Sequence, residues 1–264
     1  NLEMDLEGFD KAMENQKSMA RKASQFSHKE SIELEHKLKS LFLGYEQGEA
    51  DSIITGVFME GSKDILETGQ MGQIILEKTP FYAESGGQVG DTGTISSPGG
   101  IFEVIDTQIS GEAFIHIGSM AKGSIQLNEK VKASINPIKR ESITKNHTGT
   151  HMLHAALMKV LGDHVEQRGS LVDDEKMRFD FSHHQAVSND EIRNIETLVN
   201  EKIEEKIDVE TSIMKHSEAM ESGAMALFGE KYGESVRVLD VGDFSKELCG
   251  GTHVKNTNEI TLFK

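Results

Sequence analysis

SIITGVF (Ser52–Phe58), GQIILE (Gly72–Glu77), GIFEVID (Gly100–Asp106), AFIHIG (Ala113–Gly118) and VKASIN (Val131–Asn136) are short apolar runs separated by turn-forming clusters such as SSPGG (Ser96–Gly100). Runs of this length between glycines and prolines predict strands joined by tight turns. Several of them in so short a span predict a small antiparallel barrel or sandwich over residues 49–138. Within it, TPFYAESGGQVGDTG (Thr79–Gly93) holds more glycine than a hairpin needs. Either this is a flexible turn or its backbone approaches a ligand closely.

Working outward, Phe9, Met13, Met19, Ala20, Ala23, Phe26, Ile32, Leu38, Leu41 and Phe42 recur at helical spacing among charges, which predicts an N-terminal helical segment over residues 1–48. Downstream, residues 139–264 mix both periods. A helix is expected from about Asn146 to Leu161, closing on Gly162, and a second from Asn189 to about Ile207 with Ile192, Ile195, Leu198, Val199 and Ile203 on one face. HVEQRGSLV (His164–Val172) and KMRFDFSH (Lys176–His183) read as strands around an Asp173-Asp174 turn, followed by strand-like DVETSIM, SVRVLDV and EITLF. The expected class is α+β: a small antiparallel β-barrel followed by a two-layer sandwich, with helices on one side of a mainly antiparallel sheet.

The 264 residues carry 28 Lys+Arg against 44 Asp+Glu, a formal charge of −16, so the chain as a whole repels phosphate and any nucleic-acid contact must be local. One local basic segment exists, Lys130, Lys132, Lys139, Arg140 and Lys145 against Glu141, and in isolation it reads as a solvated linker face. No stretch approaches the ~20 apolar residues that span a bilayer, and the polar, acidic start NLEMDLEGFD is no export signal. A single cysteine, Cys249, cannot form an intrachain disulfide. These features predict a soluble cytoplasmic protein and exclude a disulfide scaffold.

His147 and His151 are spaced i, i+4 at the start of the predicted helix, which puts both imidazoles on one face. Far downstream, Cys249-Gly250-Gly251-Thr252-His253 sets a thiolate and an imidazole four apart around two glycines that permit a tight turn. Three nitrogens and one sulfur make a tetrahedral set suited to one Zn²⁺. A metalloprotease reading fails, because the general base of HExxH would sit at Thr148. Thr148 reads as a helix N-cap and Thr150 as a hydroxyl near the ligands. His183 and His184, adjacent on a predicted strand, point to opposite faces and read as structural. Gln167 and Arg168 add an amide and a cation.

In order, TPFYAESGGQVGDTG, NHTGTHMLHAAL, HVEQRGSLV, MRFDFSH, ALFGEKYGESVRVLD and ELCGGTHV closely resemble the editing region of the alanyl-tRNA synthetase family, and GFDKAMENQKSMARKAS resembles the helical entry to it. The resemblance covers essentially the whole chain. It implies a zinc-containing hydrolase that removes serine or glycine wrongly attached to tRNA(Ala). By position it implies His147, His151, Cys249 and His253 as zinc ligands, Thr150 as the hydroxyl that senses serine, and Gln167 as a glutamine important for editing. Gln88 is implied in the substrate pocket; Arg168, Lys139 and Arg140 are expected along the tRNA acceptor end. Gly149 departs from the family's usual alanine. The family further implies that ATP serves only an aminoacylation domain absent from this chain, that an oligomerisation domain is absent too, and that DNA and membranes are not partners. Two alternatives are a stand-alone deacylase acting in trans and a non-catalytic, zinc-folded tRNA-binding module.

Overall fold

The computed structural model describes residues 38–59, 64–226 and 233–264, and residues 38–264 form one compact unit. The helices expected over residues 1–37, and residues 227–232 of ALFGEKYGESVRVLD, lie outside the described residues.

Strands β1 (Leu41–Phe42), β2 (Glu49–Phe58), β3 (Ile65–Glu67), β4 (Met71–Leu76), β5 (Lys78–Thr79), β6 (Gly93–Ser96), β7 (Gly100–Ser110), β8 (Ala113–Gln126) and β9 (Lys130–Ile135) come first. Their antiparallel pairings run β8-β4-β2-β9-β6-β7 and return from β7 to β8, which closes a six-stranded barrel, with β3 added on β8. Closure removes the open sheet edges. The alternation legible in the apolar runs is what fills it. Ile54, Leu66, Ile74, Leu76, Ile95, Phe102, Val104, Met120, Ile125 and Val131 face one interior, while Asp51, Ile53 and Glu103 face out. Among these apolar walls His116 is fully buried between the Ile74 carbonyl and the Thr79 hydroxyl, and burial holds its pKa down at about 4. Residues 38–48 depart from expectation. Leu41 and Phe42 form a short parallel pairing with Lys78 and Thr79, and Phe42 stacks on Phe114, so contacts with the barrel override the helical spacing there.

From the barrel the chain passes directly into α1 (Pro137–Leu161). Asn136 caps it, its Oδ1 accepting from the N–H groups of Ile138 and Lys139, with proline at the first helical position. The helix therefore begins nine residues before the expected Asn146. Thr148 and Gly149 sit in its middle, not its first turn, and Thr148 is no cap. The basic segment is likewise a strand followed by helix, not a linker. Lys132 pairs with Glu49, Lys139 with Asp174 and Lys145 with Glu141, while the Arg140 guanidinium turns inward. Arg140 grips Asp91 through both Nε and Nη2 and donates to the carbonyls of Gly44 (2.6 Å) and Pro80 (3.0 Å).

The remaining elements are β10 (Gln167–Val172), β11 (Met177–Phe181), α2 (Asn189–Glu204), β12 (Glu210–Lys215), α3 (His216–Glu221), β13 (Ser235–Val241) and β14 (Ser245–Leu248). The β10–β11 hairpin forms as expected around Asp173, and α2 starts at a reciprocal cap between Ser188 and Glu191. Met152, Ala156, Leu157, Ile195, Val199, Ile203 and Ile260 make the core that joins α1 to α2. Two expectations fail. The strands form two separate antiparallel sheets, β10–β11 and β12-β13-β14, instead of one. EITLF is not a strand: a 3₁₀ turn at Thr257–Glu259 leads to a tail whose Phe263 backbone is bonded at both N–H and carbonyl by the Asn200 side chain of α2, and Ile260 is drawn into the helix core. Among the described residues no helix is long and apolar enough to cross a membrane.

Asp91 is 2% exposed and Arg140 12% at the side chain, so removing the guanidinium leaves a buried carboxylate without its partner. Arg140→Gln is expected to lose about 3–5 kcal/mol of stability. Urea unfolding followed by far-UV circular dichroism checks this, and a midpoint equal to wild type contradicts it.

Candidate metal centre

α1 carries His147 and His151 one turn apart on its buried side, and the segment leaving β14 brings Cys249 and His253 against them. Ligand atoms of all four residues lie within 4.8 Å of one another. Cys249 Sγ is 3.5 Å from His147 Nε2 and 3.2 Å from His253 Nε2, and the His147 ring centroid is 5.1 Å from that of His151 and 4.5 Å from that of His253. The expected convergence of the two motifs is thus present in the fold.

Each imidazole is turned inward by a partner on its outer nitrogen. His147 Nδ1 meets Gln88 Oε1 at 2.7 Å, His151 Nδ1 meets Glu247 Oε2 at 2.8 Å, and His253 Nδ1 meets Thr148 Oγ1 at 3.3 Å. Occupying Nδ1 fixes the tautomer that presents the Nε2 lone pair to the centre. Gln88 is itself held, its Oε1 accepting from the Thr252 N–H and its amide donating to Thr252 Oγ1, both at 2.9 Å. The glycine-rich loop earns its composition here. It pairs with β10 through Val89 N–H to Val172 O and Val172 N–H to Gly87 O, and a Cβ on Gly87, whose φ is +87°, would lie 2.8 Å from the Ser170 carbonyl oxygen. Gly251 has the same kind of reason, since a Cβ there would sit 2.1 Å from the His147 ring.

The charges follow from burial and proximity. Burial alone would raise the Cys249 thiol, but His147, His253 and His151 around it bring its pKa well below the ordinary value. Burial likewise opposes charge on Glu247 and His151. Their mutual attraction prevails, helped by His154 at Glu247 and Cys249 at His151, so that Glu247 falls to about 2 and His151 rises to about 10. His253 is held down at about 3, chiefly by burial. A thiolate and neutral imidazoles are the forms that bind a cation. His151 Nε2 is buried with no hydrogen-bond partner among the described residues, and once a cation displaces its proton it would offer a lone pair beside the other three donors. This donor set fits zinc: three nitrogens, one thiolate and partners behind the histidines.

The other expected site residues are placed as follows. Gln88 is fully buried behind His147. Thr150, 5% exposed, donates its hydroxyl to the Asn146 carbonyl at 2.8 Å and lies 3.0 Å from Met177 Sδ. Gln167 is the first residue of β10, half-buried, at the opposite end of that strand from the Val172 that pairs with the Gln88 loop. Arg168 is ion-paired with Glu166 and Lys139 with Asp174, both at the surface, whereas the Arg140 guanidinium is committed inside the protein. His183 and His184 follow β11 in a bend, and His183 Nδ1 lies 2.8 Å from His164 Nε2.

Reading the sequence misses Glu247 and His154, and gives Thr148 the role of a cap where the fold sets it behind His253. Glu247 is 1% exposed and also takes Ser245 Oγ at 3.0 Å and His154 Nδ1 at 3.2 Å. Signals for two of them existed: Glu247 lies two residues before Cys249, on the strand that runs into the cysteine turn, and His154 follows His151 by three on a helix and so shares its face.

A helix and a cysteine-bearing turn that bring four donors able to hold a cation together, beside a six-stranded barrel, can now be set against known proteins. The chain belongs to the family described as tRNA synthetases class II (A), whose family model matches residues 1–139. Residues 236–264, which include Cys249 and His253, match the threonyl and alanyl tRNA synthetase second additional domain. At the level of individual proteins it is similar to alanine–tRNA ligases, with 47% identity over 264 residues to that of Idiomarina loihiensis, 47% over 268 residues to that of Nitrosococcus oceani and 47% over 265 residues to that of Haemophilus influenzae. Each comparison covers 100% of this chain and 30%, 31% and 30% of the relative, respectively, so the chain spans about 30% of the length of these proteins.

Glu247→Gln is expected to weaken zinc affinity about 10- to 100-fold by loosening His151, measurable by competition with a chromogenic chelator. In metal-free protein the same pair has a pH signature. The lowered carboxyl of Glu247 stabilises the fold above its ordinary 4.5 and loses that contribution as pH falls toward about 2. The raised imidazole of His151 contributes fully below 6.5 and loses it as pH rises toward about 10. The stability gap between metal-free wild type and Glu247→Gln is therefore expected to be widest between pH 4.5 and 6.5 and to close on both sides. Urea melts across that range check it; a gap that does not vary with pH contradicts it.

Proposed function

We propose that this chain is the editing region of an alanine–tRNA ligase, a hydrolase that frees serine or glycine from tRNA(Ala) in the cytoplasm. The observation that carries the reading is the inward-facing His147, His151, Cys249 and His253 set, in a chain 47% identical throughout to alanine–tRNA ligases. On this reading, residues 49–138 form a barrel domain and residues 139–264 the zinc-bearing editing core. ATP-dependent attachment of alanine belongs to the length of the relatives that this chain does not span.

The chemical problem is discrimination. A pocket shaped for alanine cannot exclude glycine strongly, and an apolar one rejects serine by only about 100-fold, so a second hydrolytic sieve is needed. That sieve must refuse alanine. The Thr150 hydroxyl proton is already given to the Asn146 carbonyl, which leaves its oxygen to accept the hydroxyl of serine; alanine would leave the buried acceptor unpaired at about 1–3 kcal/mol. Zinc held by His147, His151, Cys249 and His253 would supply a fixed positive charge for the aminoacyl end of tRNA, and four protein ligands suit such an orienting role. Water and the ester carbonyl are then positioned by hydrogen bonds from the chain, with Gln167 offering an amide. An activated ester needs little beyond positioning and oxyanion stabilisation. Lys139 and Arg168 meet the acceptor-end phosphates by exchanging surface carboxylates for them, pairs that are individually worth little. Arg140 serves the fold.

The closed four-donor set favours a second reading, a tRNA-binding module folded by zinc. Incubating the protein with seryl-, glycyl- and alanyl-tRNA(Ala) separates the two. Editing is expected to release serine and glycine faster than alanine, Cys249→Ala to slow both, and Thr150→Val to slow serine release about 10- to 100-fold with less effect on glycine. Retention of all three amino acids on bound tRNA contradicts the editing reading.

A further inference from the structure

The four donors come from stretches about a hundred positions apart, His147 and Cys249 being separated by 102. Zinc can grip them only after they have met. Thr148, which accepts from the Val254 N–H at 3.2 Å, Glu247 beneath His151 and His154, and Gln88 between His147 and Thr252 already join the two stretches, and one further link reaches the cysteine turn from outside the centre, through residues 43–48. Arg140, near the start of α1, donates from Nη1 to the Gly44 carbonyl at 2.6 Å. The next residue, Tyr45, donates its hydroxyl to the Gly250 carbonyl at 2.6 Å, inside the cysteine turn. The Arg237 guanidinium of β13 lies over the Tyr45 ring, 4.1 Å from its centroid. From there Arg237 Nη1 donates to the carbonyls flanking Gly250, that of Gly251 at 2.7 Å and that of Cys249 at 3.2 Å.

Two side chains thus hold three successive carbonyls of the turn. The amides on the other side of the same turn face the centre, Gly251 N–H toward Cys249 Sγ at 3.4 Å and Thr252 N–H to Gln88 Oε1 at 2.9 Å. With carbonyls bound on one side and amides on the other, the peptide planes that aim the thiol have little freedom to rotate. Tyr45 is anchored in turn, since Phe42 packs edge-on against it at 4.9 Å and stacks on Phe114 of β8 at 5.4 Å. From these contacts we propose that Tyr45 and Arg237 are positioning residues of the metal centre: residues 43–48 form a strap from α1 to the Cys249–Gly251 turn that sets the thiol opposite the imidazoles before zinc binds.

The proposal rests on the reading of the four donors as a metal centre, and its test keeps the two apart. Wild type is compared with Tyr45→Phe, which keeps the ring under Arg237 and removes only the hydroxyl, and with Arg237→Lys. Co²⁺ is titrated into metal-free protein and followed by thiolate-to-cobalt absorption, with a competing chelator. In parallel, the alkylation rate of the Cys249 thiol by iodoacetamide is measured without metal. Tyr45→Phe is expected to bind Co²⁺ about five- to tenfold more weakly, the effect of one lost hydrogen bond. It is also expected to alkylate several-fold faster than wild type, with an unchanged thermal midpoint. A Tyr45→Phe protein that matches wild type in both affinity and alkylation rate overturns the strap. A wild type that takes up no Co²⁺ overturns the metal centre instead, and the alkylation rates alone then judge the strap: faster in Tyr45→Phe supports it, equal overturns it.

Discussion

The fold around the centre depends on the outer nitrogens of three histidines being occupied. With Gln88, Glu247 and Thr148 on the Nδ1 atoms, the Nε2 atoms have no direction but inward, toward the Cys249 sulfur. Such an arrangement is costly by itself. Burial opposes every charge in it, and the thiolate of Cys249 and the carboxylate of Glu247 bring two negative charges into one dry volume. A divalent cation would balance those two charges, and His151 Nε2, its proton displaced, would supply the lone pair that completes a four-donor set.

The barrel contributes more than bulk. Its glycine-rich loop delivers Gln88 to His147, and Asp91, buried in the same loop, receives the Arg140 guanidinium from the helix that carries the ligands. Residues 43–48 lie between barrel and turn and reach both. The acidic composition is consistent with this economy of cations. Of the five basic residues in Lys130–Lys145, four are paired with carboxylates of the chain, and one of those pairs is buried.

What could be read in the sequence was whatever depends on local spacing. The i, i+4 pair of His147 and His151, the Cys249-to-His253 interval and the alternation in the barrel strands are geometric consequences of helix and strand periods. The start of α1 was also written locally, in Asn136 before Pro137, but the apolar run VKASIN drew that asparagine into the end of a strand. Gln88 could be placed near a ligand by its glycine-rich setting. Its partnership with Thr252, 164 positions away, follows only from the docking of that loop on β10. Arg140 misled for the same reason: in the sequence it stands among lysines, and only the folded chain brings Asp91, Gly44 and Pro80 around it. EITLF has strand composition, yet the Asn200 side chain offers its backbone a partner before any sheet edge does.

X-ray absorption at the zinc edge of the purified protein tests the central claim most directly. One zinc per chain is expected, with one sulfur at about 2.3 Å and three nitrogens at about 2.0–2.1 Å. Protein without zinc after reconstitution, or zinc with no sulfur neighbour, would contradict it.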